Sequence, residues 1–179
     1  FHATKIFHTG EGGAIFCKDE MLYDKIYYSH NFGHDGPINF HGLGINAKIS
    51  ELQSAMGLAV FEHIDEIFDE RKKIVNIYNS LLNFDKLKKI KIRENTVWNY
   101  SYYPIIFKKE EDLLISVKKL NDNNIFPRRY FYPSLNTINY IKGQSMPISE
   151  SISSRILCLP LYKDLSEEEV KLIVRIINS

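Results

Sequence analysis

Cysteine is scarce in this sequence: among 179 residues, only Cys17 and Cys158 are cysteines. The two lie far apart and match neither a redox motif nor a metal-ligand spacing, which excludes a disulfide-rich scaffold and a cysteine-based zinc site. Both lie in apolar runs that are typical of strands. We therefore interpret them as buried free thiols of a protein that works in a reducing cytoplasm.

Long apolar runs and an excess of one charge are also absent. No apolar stretch reaches the length that a helix needs to cross a bilayer, so no membrane partner is expected. The formal net charge is +1, which gives no electrostatic reason to expect nucleic acid as a partner. The basic stretch at residues 86–93 is flanked by Asp85 and Glu94, and we interpret it as a solvated strand.

Apolar periodicity predicts an α/β fold with alternating helices and strands. An apolar stripe of helical spacing covers residues 49–81, which is longer than one typical helix, so we expect a break near residues 65–71. Ser50 and Gln53 have the spacing of a capping box. The other predicted elements are a buried strand at 13–16, a helix opening at Glu20, an irregular loop at 31–46, an edge strand at 87–92, strands at 99–107, 125–132 and 156–161, and helices at 110–121 and 166–177.

Lys5 is the strongest candidate for chemistry. It ends the run Phe-His-Ala-Thr-Lys and stands before a glycine cluster at residues 10–13 that lacks the Gly-Lys-Ser/Thr ending of a P-loop and is interpreted as a tight turn. A lysine that forms an imine must react as the neutral amine, although lysine is normally charged at neutral pH. His2, Phe7 and His8 supply an apolar and cationic setting for it. On spacing alone, an ordinary surface lysine is the alternative.

The loop at residues 31–46 offers polar candidates. His30, His34 and His41 match no zinc pattern, so we expect no metal and interpret them, with Asn31, as loop side chains near a substrate pocket. Asn46 precedes the long helix in a Gly-Ile-Asn turn. It is either a helix-capping residue or a phosphate ligand, and a helix start suits both roles.

A segment rich in arginine and tyrosine follows at residues 126–135, which read Phe-Pro-Arg-Arg-Tyr-Phe-Tyr-Pro-Ser-Leu. It is either a half-buried edge strand or part of a nucleoside-diphosphate site, in which guanidinium groups pair with phosphate oxygens and aromatic faces cover a sugar or base. The candidate residues are Arg128, Arg129, Tyr130 and Tyr132. Because a shift of one residue swaps the faces of a strand, the sequence does not tell which arginine points inward.

These three segments resemble, in the same order, those of the DegT/DnrJ/EryC1/StrS family of sugar-nucleotide aminotransferases. The resemblance implies that Lys5 is the Schiff-base lysine, which binds pyridoxal 5'-phosphate and moves the proton during transamination. It also implies that Asn46 reaches the cofactor phosphate of the neighbouring subunit in a homodimer. By the same resemblance, Asn31 and the residues of the arginine and tyrosine segment line the substrate pocket, and the family is metal-free.

The fold implied by the resemblance is the C-terminal half of a type I aminotransferase. Residues 1–68 would complete the large cofactor-binding domain, and residues 69–179 would form the small α/β domain. The form of the Lys5 motif resembles the branch that transfers an amino group from glutamate to C4 of a nucleotide-linked, dTDP-type 4-keto-6-deoxy sugar for surface polysaccharide. Amination at C3, a non-catalytic sugar-nucleotide-binding regulator and a plain α/β interaction domain are the alternatives.

In the family, the Lys5 motif lies near mid-chain. The resemblance therefore implies that the phosphate-binding backbone, the stacking ring and the Asp that pairs with the pyridine nitrogen all precede it. That Asp keeps the ring protonated as an electron sink. We expect residues 1–179 alone to be inactive.

Overall fold

The computed structural model describes residues 1–130, 132–141 and 143–179. The chain divides into two compact units, residues 1–64 and residues 65–179. Phe131 of the arginine and tyrosine segment lies outside the described residues. Within the described part of the chain, none of the helices is both long enough and apolar enough to cross a membrane.

The first unit consists of helices joined by long irregular segments. Helix α1 spans Glu20–Ser29 and is capped by Asp19, whose carboxylate accepts a hydrogen bond from the Leu22 amide at 2.7 Å. Two short antiparallel strands follow, β1 at His34–Asp35 and β2 at Asn39–Phe40. Helix α2 then spans Glu51–Phe61.

The N-terminus of α2 confirms the predicted capping box. Ser50 accepts a hydrogen bond from the Gln53 amide, and the Gln53 side chain accepts one from the Ser50 amide. The break in the apolar stripe exists but was predicted too late, because α2 ends at Phe61 and α3 begins at Ile64. Charged residues cover the solvent face throughout this region, and their pattern carries no signal for the exact residue at which the helix ends.

The predicted buried strand at residues 13–16 is wrong. The structure has no strand there, and the exposed fractions of the Ile15 and Phe16 side chains are 71% and 94%. A strand requires backbone partners, and residues 13–16 make no backbone hydrogen bond to the residues that the structure describes. Cys17 is free and partly buried, outside any strand.

The second unit is built on a three-stranded antiparallel sheet with the order β3-β4-β5. Strand β3 spans Leu87–Lys89 and is an edge strand, as predicted, although it is shorter. Strand β4 spans Tyr103–Phe107, and β5 spans Ile156–Leu159. The helices of this unit are α3 at Ile64–Leu81, which starts at the boundary, α4 at Glu110–Asp122, α5 at Pro147–Arg155 and α6 at Glu167–Asn178.

One apolar core unites the sheet and helices of the second unit. In β4, Tyr103, Ile105 and Phe107 alternate inward, as the period of a strand requires. They meet inward-facing side chains of the other elements: Ile74, Val75 and Tyr78 of α3, Leu87 of β3, Leu113 and Leu120 of α4, Leu157 and Leu159 of β5, and Val170, Ile173, Val174 and Ile177 of α6. The predicted helices α4 and α6 are thereby confirmed as amphipathic elements of this unit.

The prediction of a strand at residues 125–132 is wrong for the residues that the structure describes there, 125–130 and 132. Among these, only Arg128 pairs with a strand, through an isolated antiparallel bridge to Cys158 of β5. Pro127 has no amide hydrogen to continue a ladder, which limits pairing beside it. Helix α5 was missed, because its serine-rich sequence shows no apolar stripe, and so was a single 3₁₀ turn at Leu135–Thr137.

Candidate functional site

Lys5 lies in a turn that backbone hydrogen bonds close. Its own amide donates to the His2 carbonyl at 2.9 Å, and the Thr9 amide donates to the Phe1 carbonyl at 3.0 Å. The Thr9 hydroxyl donates to the Glu11 carbonyl at 2.6 Å. The Lys5 side chain is exposed and forms no hydrogen bond or ion pair with the described residues. The fold of the turn therefore leaves the amine available.

Helix α2 supports this turn through an unusually close contact. Gly57 is buried, and a Cβ atom at this position would lie 2.9 Å from Cγ2 of Thr9. The Phe7 ring meets those of Phe1 and Phe61, with centroids 5.0 and 6.2 Å away. Sequence reasoning missed Thr9 and Gly57, because the two are far apart in the chain and only the fold shows that they touch.

His2 is fixed beside Lys5 by hydrogen bonds of its own ring. Its Nδ1 accepts from the Thr4 amide at 3.1 Å, which assigns the proton of the neutral ring to Nε2. The Nε2 atom lies 3.4 Å from a carboxylate oxygen of Glu11. The imidazole therefore has a defined orientation within the Lys5 turn.

The structure brings Asn31 and Asn46 together. They form an isolated antiparallel bridge, supported by hydrogen bonds from the Phe32 amide to the Ile45 carbonyl at 2.9 Å and from the Ala47 amide to the His30 carbonyl at 2.8 Å. The two ends of the loop at residues 31–46 are thus paired through backbone hydrogen bonds.

Two glycines allow this arrangement. Gly33 has a φ of +77°, and a Cβ atom on it would lie 1.9 Å from the Gly42 carbonyl oxygen. A Cβ atom on Gly44 would lie 2.1 Å from the Gly33 nitrogen. Since real Cβ atoms do not approach backbone atoms so closely, the backbones are in direct contact and both positions require glycine.

The interpretation of Asn46 as the helix cap is wrong, because Ser50 caps α2. The Asn46 side chain is exposed, and its Oδ1 accepts a hydrogen bond from the Lys48 ammonium at 2.7 Å. That ammonium also lies 4.4 Å from the centroid of the Phe32 ring. An amide and an ammonium group side by side are a donor set that suits a phosphate.

A cleft of about 730 Å³ adjoins Asn31. It is lined by Tyr27, Tyr28, His30, Asn31, His34 and Asp35 with the neighbouring Gly36 and Pro37. The Asp35 charge, with a smaller effect of burial, raises the pKa of the Tyr28 phenol. The histidines interact with rings: His41 stacks on Tyr28 and His34 lies against Phe40, with centroids 4.6 and 4.8 Å apart. Among the residues that the structure describes, no three His, Cys, Asp or Glu side chains are grouped to hold a metal ion.

In the second unit, the two adjacent arginines have different surroundings. Arg128 is exposed, and its guanidinium carbon lies 5.1 Å from the centroid of the Tyr130 ring. Tyr130 contacts Tyr102 edge to face, with centroids 4.6 Å apart, and burial raises the pKa of its phenol. The side chain of Arg129 points into the second unit, where its Nη2 atom lies 2.7 Å from Oε1 of Glu110.

Comparison with known proteins identifies the family. The model of the DegT/DnrJ/EryC1/StrS aminotransferase family matches residues 1–178. This chain belongs to that family. The resemblance of its three segments is thereby confirmed, and the mixed α/β architecture is part of the aminotransferase fold.

Three relatives illustrate the similarity. The dTDP-4-amino-4,6-dideoxy-D-glucose transaminase of Shigella dysenteriae is 34% identical over 99% of this chain and 50% of the relative. The GDP-perosamine synthase of Escherichia coli O157:H7 is 30% identical over 99% of this chain and 50% of the relative. A solved PLP-dependent aminotransferase from Bacillus cereus superposes with a TM-score of 0.85 at 29% identity, covering all of this chain and 50% of that one. The chain thus spans about half the length of the relatives it matches.

The cofactor of this family is pyridoxal phosphate, and the residues of the first unit fit it. Lys5 has an exposed primary amine that would hold the aldehyde carbon, and Asn46 with Lys48 has donors that would suit the phosphate of such a cofactor. When bound, the cofactor supplies the electron sink for cleavage at the carbon that bears the amino group.

Proposed function

We propose that this chain carries the reactive lysine of an aminotransferase that transfers an amino group from glutamate to C4 of a dTDP-linked 4-keto-6-deoxy sugar, for bacterial surface polysaccharide. The single observation that supports this most is the Lys5 turn. Its backbone is closed by hydrogen bonds, while the amine is left exposed in a chain that belongs to the aminotransferase family.

In this proposal, Lys5 acts as the base that carries the proton between substrate and cofactor. His2, oriented by Thr4 and Glu11, shapes the turn around the amine. Asn46 binds the cofactor phosphate of the neighbouring subunit, so the enzyme is a homodimer with shared active sites. We also propose that residues 1–68 complete the large domain and that residues 69–179 form the small domain. The proposed location of the enzyme is the cytoplasm.

Arg128 is our choice for the diphosphate of the sugar nucleotide. It is exposed, held over Tyr130, and makes no ion pair with the described residues. Tyr130, Tyr132 and Asn31 would contact the sugar or the nucleoside. The C4 assignment and the dTDP carrier are supported by the 34% identity to the Shigella relative. The similarity to a GDP-perosamine synthase keeps GDP as the second carrier to test.

A hybrid enzyme tests this function. Residues 1–179 would replace the matching half of the Shigella transaminase, and the hybrid would be assayed for glutamate-dependent amination of a dTDP-linked 4-keto-6-deoxy sugar. We expect activity that Lys5→Ala abolishes and Lys18→Ala preserves, since Lys18 is also exposed but lies outside the turn. Product NMR then distinguishes C4 from C3 amination.

The cofactor absorbance of the hybrid serves as the folding control. A hybrid that binds pyridoxal phosphate but does not aminate the sugar with glutamate would contradict the proposed reaction and favour a ligand-binding regulator. Residues 1–179 alone should show no transamination. Turnover by residues 1–179 without the half supplied by the Shigella transaminase would contradict the proposed dependence on that half.

A further inference from the structure

Arg129 is built into the second unit rather than presented to solvent. The exposed fraction of its side chain is 19%. Its Nη2 atom donates to a carboxylate oxygen of Glu110 at 2.7 Å and to the Ser154 carbonyl at 2.9 Å. The guanidinium carbon lies 3.5 Å from the centroid of the Tyr132 ring. Hydrogen bonding, charge and stacking all hold this side chain in one place.

The two partners of Arg129 belong to opposite ends of two helices. Glu110 is the first residue of α4, and Ser154 lies in the last turn of α5. The last carbonyls of a helix have no partner within the helix and carry partial negative charge, so a cation beside them is favourable. One guanidinium group therefore ties the start of α4 to the end of α5.

Arg128 presents the opposite case. Its backbone is fixed to β5 by two hydrogen bonds, from its amide to the Cys158 carbonyl at 3.2 Å and from the Cys158 amide to its carbonyl at 2.9 Å. Its side chain is exposed. The side chain of Arg129, the next residue in the chain, is anchored in the protein. The side chain of Arg128, from the same segment, extends toward solvent instead.

We propose that Arg129 is a positioning residue, which anchors residues 128–130 to α4 and α5 so that Arg128 and Tyr130 are presented to the diphosphate of the substrate. The role of the diphosphate rests on the proposed function. The anchoring itself rests on the contacts of Arg129 alone.

A direct ligand role for Arg129 is unfavourable on the same contacts. A phosphate that approached its Nη2 would have to displace the Glu110 carboxylate and would meet it as a like charge. The Nε atom is buried and has no hydrogen-bond partner among the described residues, so a ligand at the surface does not reach it. The arginine pair is thus divided into an anchor and a ligand.

Amide hydrogen exchange on residues 1–179 tests the anchor without any ligand. Arg129→Gln should speed the exchange of the Arg128 and Cys158 amides by at least about tenfold, because their mutual bridge loses its support. The amides of β4 should keep their protection. Arg128→Gln is the matched control and should leave both bridge amides protected, since its side chain forms no part of the anchor.

Binding of thymidine diphosphate tests the division of roles. Following the arginine Nε–H signals by NMR, we expect the nucleotide to shift the Arg128 signal and to leave the Arg129 signal in place. Arg128→Gln should raise the Kd about tenfold or more, the loss of one charge-assisted contact. Arg129→Gln should raise it less, and Arg129→Lys, which keeps the charge near Glu110, should recover part of that loss.

The outcomes of these experiments distinguish the anchoring role of Arg129 from the substrate role of Arg128. Unchanged exchange of the Arg128 and Cys158 amides in Arg129→Gln would overturn the anchoring role, and so would a nucleotide-induced shift at Arg129 equal to that at Arg128. If thymidine diphosphate, guanosine diphosphate and inorganic pyrophosphate all fail to shift Arg128, the proposed substrate role of this segment is contradicted. The anchor is then still decided by the exchange measurement.

Discussion

The two units of this chain are stabilised in different ways. All of the buried apolar side chains among the described residues belong to residues 65–179. In residues 1–64, all of which the structure describes, only Thr9, Gly33 and Gly57 are buried. Among the contacts within this chain, residues 1–64 are therefore held by turns, caps and close glycine contacts, whereas the other unit has a conventional core. The candidate catalytic lysine therefore belongs to the unit in which this chain buries the fewest side chains.

Truncation of matched leucines should show the largest difference between the units. Leu157 is fully buried in the core of the second unit, whereas the exposed fraction of Leu43 in the first unit is 96%. Leu157→Ala should lower the free energy of unfolding by about 2–5 kcal/mol, the cost of lost burial plus a cavity. Leu43→Ala should change it by less than about 0.5 kcal/mol, as is usual for a surface substitution. Urea denaturation followed by circular dichroism measures both, and comparable losses in the two variants would refute the contrast.

A substitution at a glycine should break the first unit locally. Gly44→Ala places a Cβ atom against the Gly33 backbone, at a cost of about 1–3 kcal/mol for overpacking. We expect faster hydrogen exchange at the Phe32 and Ile45 amides, while the sheet of the second unit is unaffected. Gly42→Ala is the control, because a Cβ atom added there would meet nothing within 4 Å. Equal effects of the two changes would argue against the backbone contact.

The two capping boxes allow the same change in both units. Ser50 caps α2 and Ser166 caps α6, and in each box the side chain of the third helical residue accepts a hydrogen bond from the serine amide in return. Each Ser→Ala change should cost about 1 kcal/mol in its own helix. Because α6 packs into the core, Ser166→Ala should lower the urea midpoint of the second unit. Ser50→Ala should leave that midpoint unchanged and only increase exchange in the first turn of α2.

Acid should weaken the second unit by a smaller amount. Arg129, and to a lesser degree Tyr132, lowers the pKa of Glu110, and the Ser166 cap lowers the pKa of Glu169. A carboxylate with a lowered folded-state pKa stabilises the fold above its unfolded pKa, near 4.5, and this contribution is lost as the pH falls through the folded value. The urea midpoint of the wild type should therefore fall as the pH is lowered from about 5 to about 3, the range in which glutamate carboxylates titrate. The midpoint of Glu169→Gln should fall less. Glu168→Gln, an exposed neighbour, is the control, and an equally steep fall in Glu169→Gln would contradict the assignment.

Features determined by neighbours in the sequence were predictable. The capping residue Ser50 and the extents of α4 and α6 follow from contacts within three or four residues. Lys5 and Asn46 were selected through the resemblance, and their roles stay predictions. The strand predicted at 13–16 failed because an apolar run gives no information about whether partner strands exist.

Features determined by distant residues were not predictable. Arg128 and Arg129 are adjacent and chemically identical, and only the positions of Glu110 and Ser154, 19 and 25 residues away from Arg129, distinguish them. The contact of Thr9 with Gly57 likewise joins residues that share no local pattern. Helix α5 was missed because serines occupy positions at which an apolar stripe would have been visible.

The direct contact of Gly33 and Gly44 has a consequence for how this protein could diversify. The contact closes the base of the hairpin that contains β1 and β2, so the residues between them form a loop whose two ends are fixed independently of its tip. Changes of sequence at the exposed residues 37 and 38 would therefore leave Asn31 and Asn46 in register. A library of variants confined to this tip would change the surface beside Asn31 and Asn46 and keep the backbone pairing that holds them.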